Sequence, residues 1–481
     1  MATVIKLDPV TRIEGHLKIE VTIDTVGGVQ KVIDAKSTGT MFRGFEQILV
    51  GRDPKDAPLY TQRICGVCPV SHGLAASLNL ETAFGVAAPL NGRVMRNLVL
   101  GANFVQSHIL HFYHLAALDY INTTGILDMA PWSPRYVTPD MVGGATATAL
   151  VNHYVTALSM RRKAHQMGAI FGGKLPCVAT FVPGGCTETP TTTKITAFRT
   201  LLTELRNFIN NTYIPDVNAV AGAFPSYYNI GKGCGNLIAY GVFDLESNQA
   251  GQKLLRRGIN TAGVAGTLDV NQITEYVKYS WFNDANLKPA SGTTTPNATK
   301  AGAYSWIKAP RYAAKAYEAG PLARMYVNGD YTRGISVLDR IAARALEAKK
   351  VADAMDGWLN QLVTGSTGYT YKAMPAAATS YGLTEAPRGA LGHWSTISSS
   401  LLSRYQVVTP TAWNASPRDD ANVPGPMEQA LIGTAVANLN QPIEVLRVIH
   451  SFDPCLSCAV HMIRPDSKAD PVVINVPAAA I

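Results

Sequence analysis

Two short cysteine clusters, one near each end of the chain, constrain its fold more than any other feature. The first is Arg63-Ile64-Cys65-Gly66-Val67-Cys68, with His72 just after it. The second is Asp453-Pro454-Cys455-Leu456-Ser457-Cys458, with His461 three residues beyond. A CxxC pair lets both sulfurs face one ion, and thiolates are soft ligands suited to nickel, iron, zinc or copper(I). One such pair alone also fits a redox disulfide. Two pairs supply four sulfurs, so a shared four-thiolate metal site is the first expectation, and the fold must bring the ends of a 481-residue chain together.

Seven cysteines, at 65, 68, 177, 186, 234, 455 and 458, are an odd set that does not read as a disulfide framework. Apolar residues at 47% allow a large core, whereas charged residues at 16% are few, which suits a subunit that covers much of its surface with a partner. The net charge is +8, but no basic run interleaves with aromatics, so nucleic acid is not an expected partner. Residues 1–14 lack a basic-then-apolar export signal, and no apolar run reaches the roughly 18 residues of a membrane span. No P-loop, dinucleotide fingerprint or hydrolase signature is present.

Apolar–polar alternation predicts strands over 4–7, 17–23 and 29–35, an N-terminal hairpin region of about 3–35 with a Gly27-Gly28 turn. The intervening loop, 8–16, carries Arg12, Glu14 and His16, and on its own reads as a charged surface turn. Helical spacing predicts helices over 92–120, 145–170, 192–212, 338–364 and 427–449. His108, His111 and His114 share one side of the first; three histidines so spaced could bind a metal, but Phe104, Leu110, Phe112 and Leu115 around them favour a buried, largely satisfied face. Residues 285–302 are rich in breakers and predict a surface loop. The fold class expected is mainly α with small α+β parts, a bundle of long helices about 92–450 within a single interlocked domain, 1–461.

RxCGxC followed far downstream by DPCxxCxxH closely resembles the large, catalytic subunit of nickel–iron hydrogenases. Arg12-Ile13-Glu14-Gly15-His16, Phe42-Arg43-Gly44-Phe45-Glu46, Tyr304-Ser305-Trp306, Lys308-Ala309-Pro310-Arg311-Tyr312 and Glu385-Ala386-Pro387-Arg388-Gly389-Ala390-Leu391-Gly392-His393 agree with it, so the likeness spans nearly the whole chain. The resemblance implies the large-subunit fold and the oxidation of hydrogen to protons and electrons. It implies nickel held by Cys65, Cys68, Cys455 and Cys458, with Cys68 and Cys458 also bridging to an iron that carries carbon monoxide and cyanide. It places His72, Thr411 and Pro387 against this cofactor. It makes Asp119 and Asp453, with Arg388, a canopy over the open metal position, and Glu14 a proton carrier. Glu46, His461 and the carbonyl near Val407 would hold a magnesium or iron ion.

The implied partners are an iron–sulfur small subunit, a membrane or soluble cytochrome as acceptor, metal-insertion proteins and a maturation endopeptidase that removes residues 462–481. A location in the periplasm or on the periplasmic face of the membrane, with export alongside the small subunit, follows from the class it resembles, and the cytoplasm is the alternative. Cys177 stands where many relatives have a His; it and Cys186 are expected to be buried structural thiols. Two other readings are a metal-free structural subunit of a respiratory complex and a four-thiolate zinc protein. Retention of all four cysteines opposes the first, and the zinc reading leaves Arg388, Asp119 and Asp453 without purpose.

Overall fold

The structure, a computed structural model, describes residues 2–130, 132–133 and 135–459, with 458 and 459 given by backbone alone. The Cys458 side chain, His461 and the tail 462–481 lie outside the described residues.

The chain opens with an antiparallel sheet of β1 (Thr3–Leu7), β2 (Leu17–Val26) and β3 (Val29–Gly39). Along β2, Leu17, Ile19, Val21 and Ile23 are buried and the residues between them face outward, the expected period of two. The loop between β1 and β2 runs to the far end of the chain. Glu14 N donates to Pro454 O at 3.3 Å, and Leu456 N donates to Glu14 O at 2.7 Å. These bonds join the first loop to the second cysteine cluster.

After the first cysteine pair comes α1 (Pro69–Phe84), with Pro69 in its first turn, where a missing N–H costs nothing. The sequence reading did not predict this helix. Among the helices that follow are α2 (Leu90–Leu110), α3 (Gly144–Gly172), α4 (Thr192–Phe208) and α5 (Pro321–Asn328). The long α6 (Val337–Leu359) comes next. α2 packs along both α3 and α6, which makes the expected helical core. The helix predicted over 92–120 is α2 extended by a π-helical stretch, His111–Ala116, and a tight turn, Ala117–Asp119. Among the described residues, no helix is long and apolar enough to cross a membrane.

A second antiparallel sheet, β4 (Ala378–Ala386), β5 (Gly389–Ser398) and β6 (Leu401–Val408), packs on α1. Helix is 41% and strand 21% of the residues, and among the described residues three three-stranded and three two-stranded sheets accompany the helical core, so the mainly α expectation is met only in part. The helix predicted over 427–449 is also corrected. After the short α7 (Pro410–Asn414) come α8 (Pro426–Leu431) and α9 (Ile443–Ser451), separated by Gly433 at φ +88° and by Pro442, which has no N–H to donate. The chain described ends in α10 (Leu456–Ala459). Residues 285–302 form a largely exposed loop, as expected, although its Thr294 hydroxyl reaches inward to Glu46.

The seat of α1 on β4 depends on Gly382. A Cβ there would lie 2.3 Å from Asn79 N and 2.4 Å from Ala75 O, so helix backbone and strand backbone touch directly. Gly382→Ala is expected to destabilise the chain by about 1–3 kcal/mol through overpacking, read as a lower thermal unfolding midpoint. An unchanged midpoint would contradict this seating.

Candidate metal centre

Cys65 is extended (φ −136°, ψ 137°) at the end of a 3-10 turn, and Cys68 caps α1. Between them the chain folds back, so that Val67 N and Cys68 N both donate to Cys65 Sγ at 3.3 Å. Such N–H groups favour a thiolate. From the other end, Cys455 enters α10 with its N–H donated to Thr411 Oγ1 at 3.0 Å. Cys65 Sγ and Cys455 Sγ lie 3.2 Å apart, and the ligand atoms of Cys65, Cys68 and Cys455 all fall within 4.8 Å of one another, buried. Ile64, Ala75, Ala76 and Leu391 belong to the apolar cluster that encloses them. Among the described residues this is the one group of three or more metal-binding side chains at such distances.

The remaining described thiols stand apart from it. Cys186 is buried as expected, whereas Cys177 is only partly buried, because it follows exposed Pro176 on a loop. The histidines on and after α2 do not converge. His108 meets Glu347 at 2.7 Å, His111 meets His450 O at 2.6 Å and His114 meets Tyr154 O at 3.2 Å. They pack as separate groups rather than as one ligand set, and they are only half satisfied: each ring bonds through Nε2 and leaves Nδ1 buried without a partner.

Glu14 lies against the cluster. Cys455 Sγ is 3.1 Å from its Oε2, which also accepts Ser457 N at 3.1 Å. This approach requires Gly15, at φ +80°, where a Cβ would stand 2.5 Å from Ser457 N. Burial pushes the Glu14 carboxyl above its usual range, and the neighbouring Cys65 pushes it further. Arg43 had no role in the sequence reading. Its guanidinium donates to Ile64 O and, at 2.5 Å, to Ser457 O, so it stitches the two cysteine loops together.

Arg388 occupies the two-residue tip, with Pro387, of the β4–β5 hairpin. Its Nη2 is 2.9 Å from Asp453 Oδ1, and Nη1 donates to Ser107 Oγ at 3.4 Å. Burial works against its charge, but Asp453 and the three thiols outweigh that and hold its pKa well above the ordinary value. Asp453 in turn is fully buried, and Arg388 keeps its carboxyl low. Asp119 does not join them. It pairs with Arg12 and, at 2.5 Å, with His450 Nδ1, which hold its pKa at about 2 against the cost of burial. Asp119 ends the turn after the π-helical stretch and faces Arg12 of the N-terminal loop. Ser107, one turn before that stretch, takes the expected place beside Arg388.

His72 Nδ1 is 3.2 Å from His393 Nε2, and His393 Nδ1 is 2.8 Å from Tyr405 Oη. Complete burial lowers the His72 pKa to about 4, so the ring is neutral. Pro387 O accepts from Arg324 Nη2 at 2.7 Å. Glu46 and Val407 are adjacent, with Val407 N donating to Glu46 Oε1 at 2.9 Å; His461, their expected companion, lies outside the described residues.

This donor set fits a soft transition-metal centre. Its sulfurs are buried in apolar surroundings, and Arg388 Nε and His72 Nε2 are buried without a hydrogen-bond partner. Such orphaned atoms leave capacity for small polar ligands bound at the sulfurs.

A family model described as nickel-dependent hydrogenase matches residues 43–139, 128–334 and 327–461, and a HoxL-like model matches 4–33. The chain is 41% identical to the periplasmic NiFeSe hydrogenase large subunit of Desulfomicrobium baculatum, over 98% of this chain and 97% of that one. It is 34% identical to the hydrogenase-1 large chain of Escherichia coli (strain K12), over 96% and 95%. The solved structure of the Ni-Fe-Se hydrogenase from D. vulgaris Hildenborough matches with a TM-score of 0.91 at 40% identity, covering 96% of this chain and 100% of that one.

Proposed function

The chain belongs to the nickel-dependent hydrogenase family, and from that premise we propose how its residues carry out the oxidation of hydrogen. It is the large, catalytic subunit of a hydrogenase, an oxidoreductase, and a large subunit implies a small-subunit partner. The observation that carries the reading is the meeting of Cys65, Cys68 and Cys455 from opposite ends of the chain, with Glu14 against one sulfur and Arg388 beside the set.

Cys65, Cys68, Cys455 and Cys458 would hold nickel, Cys68 and Cys458 would share an iron bearing carbon monoxide and cyanide, and Thr411, His72 and Pro387 would line that pocket. When bound, this centre supplies the redox chemistry that takes two electrons from hydrogen. The residues around it manage protons and water. Glu14 Oε2 is close enough to take a proton from Cys455 Sγ directly. The apolar cluster keeps bulk water out. Arg388, paired with Asp453, keeps a fixed positive charge beside the thiols. Glu46, the Val407 carbonyl and His461 would hold a magnesium ion, which favours hard oxygen ligands and retained waters.

Electrons would leave to an iron–sulfur small subunit and then to a membrane or soluble cytochrome. Metal-insertion proteins would load the site before an endopeptidase removes residues 462–481. The periplasmic relative supports the same location here.

Infrared spectroscopy and metal analysis of the purified heterodimer test this reading. We expect about one nickel per chain, together with iron-ligand bands in the window where protein does not absorb. A nickel-loaded enzyme with no such bands would sink the carbon monoxide and cyanide assignment. Zinc in place of nickel would restore the zinc reading.

A further inference from the structure

Arg388 stands on a two-residue hairpin tip, a place where side chains are ordinarily mobile. A second buried arginine, Arg324 on α5, surrounds the base of that tip. Its Nη1 donates to Ala386 O at 3.0 Å and to Glu385 Oε2 at 2.8 Å. Its Nη2 donates to Pro387 O and to Glu347 Oε2, both at 2.7 Å, and Nε donates to Glu347 Oε1 at 2.6 Å. All five N–H groups of the fork are satisfied, and the side chain is wholly buried. The plane lies over the Phe104 ring, 5.0 Å from its centre.

Two of those five bonds hold the carbonyls of the residues directly before Arg388. The bidentate pair on Glu347 leads back to the site by another route. Glu347 meets His108 at 2.7 Å, and the next residue, Ser107, accepts from Arg388 Nη1. The backbone beneath Arg388 and the helix turn beside it are therefore tied to one guanidinium.

We propose that Arg324 is a positioning residue for the hydrogen chemistry: it holds the 386–388 hairpin tip and the Ser107 turn so that the Arg388 guanidinium stays over the thiol cluster. This rests on the function proposed above. Lysine at 324 would preserve the positive charge between Glu347 and Glu385 but offers three donors from a single point, and so cannot reach both carbonyls and both carboxylates.

The test is a double-mutant cycle on the heterodimer with Arg324→Lys, Arg388→Lys and the double variant, followed by hydrogen oxidation, nickel content and the infrared bands. We expect Arg324→Lys to retain nickel and lose roughly 10–100-fold in turnover, the effect of a small misplacement near the chemistry. The double variant should lose no more than Arg388→Lys alone, within about 3-fold, because residues acting as a unit are not additive. The bands of Arg324→Lys should shift in the same direction as those of Arg388→Lys. Multiplying losses, or wild-type turnover in Arg324→Lys, would overturn the proposal. If Arg324→Lys does not accumulate as a folded heterodimer, Glu385→Gln, which loosens the same fork at constant volume, goes through the same cycle and is judged by the same two outcomes. A wild-type spectrum without bands would remove the assigned iron ligands and leave the activity cycle to decide this proposal separately.

Discussion

Cys65→Ser should leave the heterodimer without nickel and without measurable hydrogen oxidation. Cys65 Sγ is 3.2 Å from Cys455 Sγ and accepts two backbone N–H bonds that favour its thiolate form. A serine hydroxyl stays protonated and is a hard oxygen donor, so it replaces neither the charge nor the softness of the sulfur. Loss of a partner one shell further out costs metal sites about 10–100-fold, so losing the ligand itself should cost more than about 100-fold in activity. Cys186→Ser is the control. That thiol is buried beside Phe171 O, 3.7 Å away, outside the cluster, and nickel content should be unchanged. Equal nickel in the two variants would refute the assignment of Cys65.

Much of this site was legible because its chemistry is local. A CxxC pair states its ligand geometry in four residues, so the two clusters pointed to a shared site before any fold was known. The N-terminal sheet was legible for a related reason: β2 is buried on one side only, and one-sided burial writes an alternating pattern. β5 is buried on both faces over most of its length, so no alternation marked it, and the whole β4–β6 sheet was missed. α1 was missed on the same physical ground, since nearly every residue in it is buried and no polar stripe remains.

The errors at the site have a different origin. Resemblance alone puts Asp119 in the canopy, with nothing in the residues around it to place it beside Arg388. The π-helical turn that precedes it leaves no mark in residue spacing, and its partners Arg12 and His450 are set by tertiary packing. Ser107, the group that does face Arg388, is a small neutral residue with no signal of its own. Arg324 was equally silent, because a buried arginine in a short helix looks like a surface arginine until its carboxylates are found. Charge identifies the residues that can do chemistry; tertiary packing decides which of them meet.

Glu14→Gln should retain nickel and lose about 10²–10⁴-fold in hydrogen oxidation, the range of a lost acid–base group. The substitution keeps volume. The amide oxygen can still accept Ser457 N, so the loop that brings Gly15 against Ser457 should stay in place. What is lost is the ability to take a proton from Cys455 Sγ, 3.1 Å away, and release it. Burial and the Cys65 thiol raise the carboxyl's pKa, which moves its exchange toward neutral pH, whereas an amide does not titrate there at all. The direct measurement is isotope exchange between hydrogen gas and heavy water, alongside nickel content. Exchange should fall with turnover while nickel stays. A Glu14→Gln enzyme that exchanges at the wild-type rate would show that protons leave the sulfurs by another path, and Arg388 would be the next group to test.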